Sequence, residues 1–306
     1  MNYETTQDLN VQAINNINAP SLSTSAVLVS LSRSVPDLEK NDPEAAKALA
    51  KLKNADSGSV GAKKKLIASK AHEDLKELSR AIYRYHTDNT LPWGNLGARL
   101  LPHATSIDYQ AQMEEFLKQF QMLKEDFLDD YPRAAAAAQE RLGDLFDESL
   151  FPSVYELDRR IGITLEYDPI ADPNDFRVRV GNQAAEAMRE QFSNVLKNRV
   201  EAAYADVFKR LREPLENMSA KLNYVDEKDK TKFRDTLVGN VNKFVELMRS
   251  CNITNDPVMT RITNDLRNAL DGVTPEMLRN SPAQRAETKA KVDKIISTIP
   301  EPSLDF

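Results

Sequence analysis

Cysteine is nearly absent from this chain of 306 residues: Cys251 stands alone. An internal disulfide is therefore impossible, a zinc finger or ribbon lacks its ligands, and a reducing cytoplasm is the expected setting. Glycine is scarce as well, with nine residues where average usage gives about twice as many. That argues against folds built on tight turns and against Gly-rich loops that grip phosphate. No apolar run approaches the ~18 residues that span a bilayer. The first residues, "MNYETTQDLNVQAINNINAPSLSTS", have neither a basic start nor an apolar stretch. No membrane partner and no secretory signal are expected.

What is present fits a helix-rich protein with solvated faces: 41% hydrophobic and 29% charged residues. The net charge of -6 counts against coating nucleic acid with the whole surface, but leaves room for a local basic patch. One candidate runs through Lys47, Lys51 and Lys53 to Lys63, Lys64, Lys65 and Lys70. Around "NADSGSVGA" these lysines read more simply as a solvated, mobile connection between helices. Phosphate-binding surfaces add arginine or stacking aromatics, and this segment has neither.

Periodicity supplies the elements. "AVLVSLSRS" reads as a strand with Val27, Val29 and Leu31 on one face. Asp42 with Pro43 opens a short helix. Ala71, Leu75, Leu78, Ile82 and Tyr85 form the stripe of a longer one. Pro92 and two glycines break it. A helix capped at Thr105 or Ser106 carries Tyr109, Met113, Phe116, Phe120, Leu123 and Phe127, and Pro132 starts another through "RAAAAAQERLGDLF". "IGITLEY" and "DFRVRV" alternate at period two and predict an antiparallel hairpin, with the Val29 strand as third member of the sheet.

From Asn182 the pattern is helical almost to the end. A seam runs from Met188, Phe192 and Val195 through Val200, Ala203, Val207, Leu211 and Leu215 to Met218 and Leu222, with Pro214 expected to kink or interrupt it. Phe233, Leu237, Val241, Phe244 and Met248 complement it across a polar turn. That predicts a long antiparallel helical hairpin whose seam could also form a homodimer or higher oligomer.

The expected fold is thus mainly α with a small antiparallel sheet. The expected blocks are a mobile arm over 1–25, a helical domain with a three-stranded sheet over 26–181, and the projecting hairpin over 182–252. C-terminal helices over 253–299 and a tail over 300–306 complete the chain.

Chemistry-bearing residues are few. His72, His86 and His103 are spaced too widely for a metal pair on one helix, so a structural or surface role is favoured. Cys251 ends an apolar stripe, where a thiol behaves as a small hydrophobe. No G-x-S-x-G elbow is present, and "GSVGAKKK" lacks the spacing of a phosphate loop. The acids of "EDFLDDYP" are explained by a helix start at Pro132. No catalytic residue, cofactor or metal is predicted. The stretch "YRYHTDNTLPWGNLGARLLPH" gathers the single Trp, two His and two Gly; Trp93 reads as an apolar wedge closing the helical core, with partner binding as the alternative. In "SLDF", Leu304 and Phe306 flank an acid, as in the short tails by which replication proteins dock on partners, although a frayed terminus is the simpler reading.

Three motifs occur in order: "YRYHTDNTLPWGN…ARLLP", "DYPRAAAAAQERLGDLFDESLFPS" and "YDPIADPNDFRVRVG". Over roughly residues 26 to 222 the chain resembles an uncharacterised family of phage and bacterial proteins, the domain-of-unknown-function family 3150. The shared landmarks are an N-T-L-P-W loop, a Y-P helix start, an R-L-G-x-L-F segment ending in Pro, and a D-F-R-V strand. The acidic "LEYDPIAD" and the long C-terminal helices depart from that pattern. The family has no established catalytic residues, so none transfers to Trp93, Arg99 or Asp175. Its phage genomes, and its neighbourhood to genes for MoxR-like AAA ATPases, imply an accessory or adaptor role. With the long helical stripes, the absence of a catalytic motif and the tail, the expectation is a non-enzymatic adaptor, inhibitor or assembly component. Such a protein would bind a host or phage protein in the cytoplasm of an infected bacterium. The alternative is a DNA- or RNA-associated factor using Lys63, Lys64, Lys65, Arg177 and Arg179.

Overall fold

The computed structural model describes residues 19–94, 97–170, 182–223 and 236–300. Helices hold about 71% of the chain, and a small antiparallel sheet completes the α+β fold expected from the sequence. In chain order the elements begin with α1 (Ala19–Ser25), β1 (Ala26–Ser34), β2 (Glu39–Asn41), α2 (Pro43–Leu52) and β3 (Lys63–Lys65). Then come α3 (Lys70–Asp88), β4 (Leu91–Pro92), β5 (Ala98–Pro102), α4 (His103–Leu142), α5 (Val154–Arg160) and β6 (Gly162–Asp168). The remainder is helical: α6 (Asn182–Leu222), α7 (Thr236–Cys251), α8 (Pro257–Leu270), α9 (Pro275–Asn280) and α10 (Pro282–Thr298).

Proline starts helices in this chain more than it ends them. Asp42, Asp256, Thr274 and Ser281 each precede a proline, and each side chain accepts a backbone N–H two residues beyond that proline. The proline occupies a position whose N–H would be unpaired anyway. Pro132 and Pro214 behave differently, lying inside α4 and α6. The predicted helix start at Pro132 and interruption at Pro214 therefore do not occur, nor does the cap at Thr105 or Ser106, since α4 begins at His103. The local cost of about 3 kcal/mol for an internal proline is outweighed by packing on both sides. In α4, Phe127, Tyr131 and Ala138 stay buried in step; in α6, Leu211, Leu215 and Met218 do.

Two compact units share the chain, and both are discontinuous. One comprises residues 1–30, 88–107 and 167–306; the other comprises 31–87 and 108–166. These do not follow the contiguous blocks read from the sequence, because α1 and the 91–102 hairpin belong with the C-terminal helices. Leu22, within the stretch expected to be a mobile arm, is buried in that core.

In the first unit β1 pairs antiparallel with β5 from Ala26↔Pro102 to Ser30↔Ala98, and β5 pairs with β4. The sheet order is β4-β5-β1-β6, with residues 162–166 of β6 and 31–34 of β1 belonging to the second unit. Among the described residues this sheet has four strands, and the pair not expected, β4 and β5, comes from "LPWGNLGARLLP". Gly94 and Gly97 take φ of +73° and +81° there, so the glycines turn a hairpin rather than merely ending a helix. The second strand predicted at "DFRVRV" lies outside the described residues. Helix α6 packs on α7 and α10, and α8 packs on the same two, giving a ring of four helices. The two expected hairpin helices, α6 and α7, do pack together, but they do not project: the seam from Val200 to Leu222 is covered by this chain's own helices. Its N-terminal members Met188 and Val195 are exposed, and Leu196, Tyr204 and Phe208 join the core instead.

In the second unit α3 and α4 carry the core residues Leu75, Ile82, Tyr109, Met113, Phe120 and Phe127, joined by Leu66, Ile67, Leu157 and Ile161. Strands β2 and β3 form a separate antiparallel pair. The segment read as a mobile connection thus includes a strand.

Candidate functional site

Helix α3 of the second unit buries a face at 72, 75, 79, 82 and 86, alternating three- and four-residue steps. Two of those five positions are histidine and one is serine. Ser69 caps the helix: its Oγ accepts the His72 backbone N–H at 3.4 Å and donates to Asp130 Oδ2 at 2.7 Å. Arg133 and then Ser69 hold the Asp130 carboxyl below the usual carboxylate range. Asp130 thereby links α4 to the start of α3, instead of decorating a helix start at Pro132.

The His72 ring is fully buried. Its Nε2–H donates to the Pro36 carbonyl at 2.7 Å, and the Phe127 ring lies 4.9 Å away between centroids. This bond fixes the tautomer, so Nδ1 carries a lone pair, and that buried atom has no hydrogen-bond partner. An unpaired acceptor of this kind costs about 1–3 kcal/mol. Burial holds the imidazole below its ordinary value; Lys76 and Lys65 add to the effect, while the Pro36 carbonyl and Glu73 oppose it. Lys76 is itself buried, 3.4 Å from Glu73 and 3.7 Å from Asp37. Lys65 pairs with Glu73, and that contact is the first cause holding the Glu73 carboxyl below its usual range. Farther along the helix, buried His86 shares a 2.7 Å hydrogen bond with the Tyr109 hydroxyl.

Two clefts open on this unit. One of about 660 Å³ is lined by Asp42, Ala46, Lys47, Gly58, Gly61 and Lys63. Asp42 Oδ1 accepts the Ala45 N–H at 2.9 Å there, so the positive end of α2 is met by the chain's own carboxylate. A second cleft of about 350 Å³ runs between Pro36, Leu38 and Lys40 on one side and Leu150, Phe151 and Arg160 on the other. Leu38 has φ of +51°, an uncommon conformation for a branched side chain. On the segment that supplies Leu150 and Phe151, Tyr155 is 69% exposed, with Leu145 at 42% and Val154 at 39%.

The residues singled out from sequence are placed as follows. Trp93 is 3% exposed and belongs to the first unit's core. Arg199 covers its ring, with the guanidinium carbon 5.8 Å from the centroid. The indole closes the helical core and offers no face to a partner. Lys63, Lys64 and Lys65 form β3. Lys64 Nζ donates to the Leu145 carbonyl at 2.8 Å and Lys65 is paired with Glu73, so two of the three are engaged within the unit. Arg177, Arg179, Leu304 and Phe306 lie outside the described residues. Cys251 is fully buried, and burial pushes its thiol up to about 12. Among the described residues no group of three or more His, Cys, Asp or Glu is placed to hold a metal ion, and no helix is long and apolar enough to cross a membrane. The His72 cluster was hidden from an apolar-only reading of α3, which takes 71, 75, 78, 82 and 85 as the stripe. The signal was present in the histidines at 72 and 86, two full heptads apart and in register with Leu75, Ser79 and Ile82.

Chemically, the cluster can exclude or accept one proton at a defined buried atom, beside a strained segment that borders a cleft. Against known proteins, the chain matches no family model, no curated protein and no solved structure.

Proposed function

We propose that this chain is a non-enzymatic protein that works by binding another protein, as an adaptor, an inhibitor of a host system or an assembly component. The observation that supports this reading is three exposed large apolar side chains, Leu145, Val154 and Tyr155, on the 145–155 segment, which also supplies Leu150, Phe151 and Pro152 to the 350 Å³ cleft. Large exposed residues scattered singly are ordinary, whereas a group beside a cleft is the usual form of a docking surface. The resemblance to the phage family sets the context: the cytoplasm of an infected bacterium, and a partner such as a MoxR-like AAA ATPase. Trp93 is not part of the surface proposed; the tail residues Leu304 and Phe306 remain a second candidate.

Affinity capture of the tagged chain from host and infected lysates tests this, with nuclease added to half of each sample. A specific protein that survives nuclease and is lost with Tyr155→Asp supports the reading. Capture unchanged by Tyr155→Asp, Leu145→Asp and deletion of 303–306 sinks both surfaces. The second reading, a nucleic-acid factor, is favoured by Lys40, Lys47, Lys63 and Lys64 standing near one another around β2, β3 and the start of α2. It requires recovery that collapses with nuclease and binding that weakens steeply with salt.

A further inference from the structure

We propose that residues 35–41 form a strap latched over the second unit by His72, and that one proton arriving at Nδ1 releases it and widens the 350 Å³ cleft. The strap is held at few points. Pro36 O accepts the His72 Nε2–H at 2.7 Å, and the Leu38 carbonyl accepts the Leu66 N–H at 2.9 Å. Asp37 reaches Lys76 at 3.7 Å. Glu39 to Asn41 pair with Lys65 to Lys63, a register that sets Lys40 directly opposite Lys64. Like charges across a strand pair weaken it. Leu38, at φ of +51°, is kept in its conformation only while these contacts persist.

Burial, Lys76 and Lys65 resist a second ring proton and outweigh the Pro36 carbonyl and Glu73, which favour one. On its own helix, His72 is the third residue of α3, within the positive end of the helix dipole, with Lys76 and Glu73 as charged neighbours. Lys65 faces it from β3, and Asp37, committed to Lys76, from the strap. From α4 come the apolar Phe127 ring and, behind Ser69, the Asp130–Arg133 pair. Glu73 is engaged by both lysines, and no acceptor lies within reach of Nδ1. A proton there would be a buried donor without a partner, so protonated His72 belongs to the open form. The sign follows: the latch is fully present above the ordinary histidine value near 6.5 and is lost as pH falls below it.

Hydrogen exchange of the full chain between pH 7.5 and 5.5, corrected for intrinsic rates, tests the latch. The amides of Glu39–Asn41, Lys63–Lys65 and Leu66 should lose protection on acidification, by no more than tenfold per pH unit because one proton is taken up. Those of α8 should not change over the same range. His72→Gln keeps a donor for Pro36 and cannot titrate, so its strap should show no pH dependence. Wild-type protection that is flat with pH overturns the proposal, as does a His72→Gln strap that still loosens in acid. Should that variant fail to fold, ring nitrogen NMR of the wild type decides. A closed-state His72 that titrates near 6.5 overturns the latch; a closed-state ring that stays neutral while strap amides open supports it.

Discussion

The two units bury helical faces equally well but place different obligations on the groups inside. In the first, three buried polar side chains are satisfied close by in sequence: Asp256 caps α8 through Met259, Thr263 donates to the Met259 carbonyl, and Arg285 donates to the carbonyls of Leu278 and Arg279, while the Tyr204 hydroxyl reaches Thr254, 50 residues on. Around them the core is mostly Leu, Val, Ile and Met, with Trp93, Tyr204, Phe208 and Cys251 among them. In the second, the interior holds two imidazoles, a lysine and two serines, and their partners are distant in sequence. Apolar packing tolerates wide pH changes. A buried titratable group ties local stability to protonation. Burial alone therefore says little about how a region responds to its surroundings.

The contrast can be broken at several depths. Leu215→Ala, in the middle of the α6 seam, should cost about 2–5 kcal/mol through lost transfer and a residual cavity. Urea unfolding followed by Trp93 emission measures it, since the only Trp reports on the first unit. Tyr109→Phe removes the hydroxyl that His86 Nδ1 bonds, and should cost about 1–3 kcal/mol in the second unit, read by exchange of the α3 amides. Alkali offers a smaller effect on the first unit. The thiol of Cys251 is raised by burial from 9.0 to about 12, so its contribution is present below the unfolded value and is lost as pH climbs toward 12. At pH 10 that loss is about 1–2 kcal/mol relative to neutral pH, and Cys251→Ala should lack it in otherwise equal urea titrations. Tyr204, in the same unit, is also raised by burial to about 12 and leaves a shallower slope in both proteins. Smallest of all, Asp256→Ala should cost about 1 kcal/mol by uncapping α8, seen as a lower urea midpoint with unchanged slope.

Helices were legible because apolar residues recur at helical spacing and because proline after Asp, Thr or Ser marks their starts. The four-helix ring was not, since a seam on α6 shows that something covers it without saying what. Pro132 and Pro214 misled for a related reason: the local rule is correct, and tertiary packing on both sides overrides it. The 91–102 hairpin hid behind Pro92, which reads as a breaker yet sits in a two-residue edge strand where its missing N–H is harmless. As for the site, residue type concealed it. His72 and His86 occupy core positions of an amphipathic helix, but a pattern restricted to apolar letters rotates the buried face by about one residue. Lys65 likewise reads as solvated charge in the sequence, yet it pairs with Glu73, which also engages the buried Lys76.

The order in which the ribosome delivers the chain gives the split connectivity a cost of its own. Residues 31–87 and 108–166 are all available by mid-synthesis, so the second unit can close while the rest is still being made. The first unit cannot. Leu91 and its neighbours Trp93 and Leu100 await α6, which packs on β4 and is complete only at Leu222, about 120 residues later than Leu100, or roughly 6–24 s at ~5–20 residues per second. During that interval a nascent strand and an apolar hairpin stand uncovered. Chaperone binding to the unfinished chain should concentrate on those two segments.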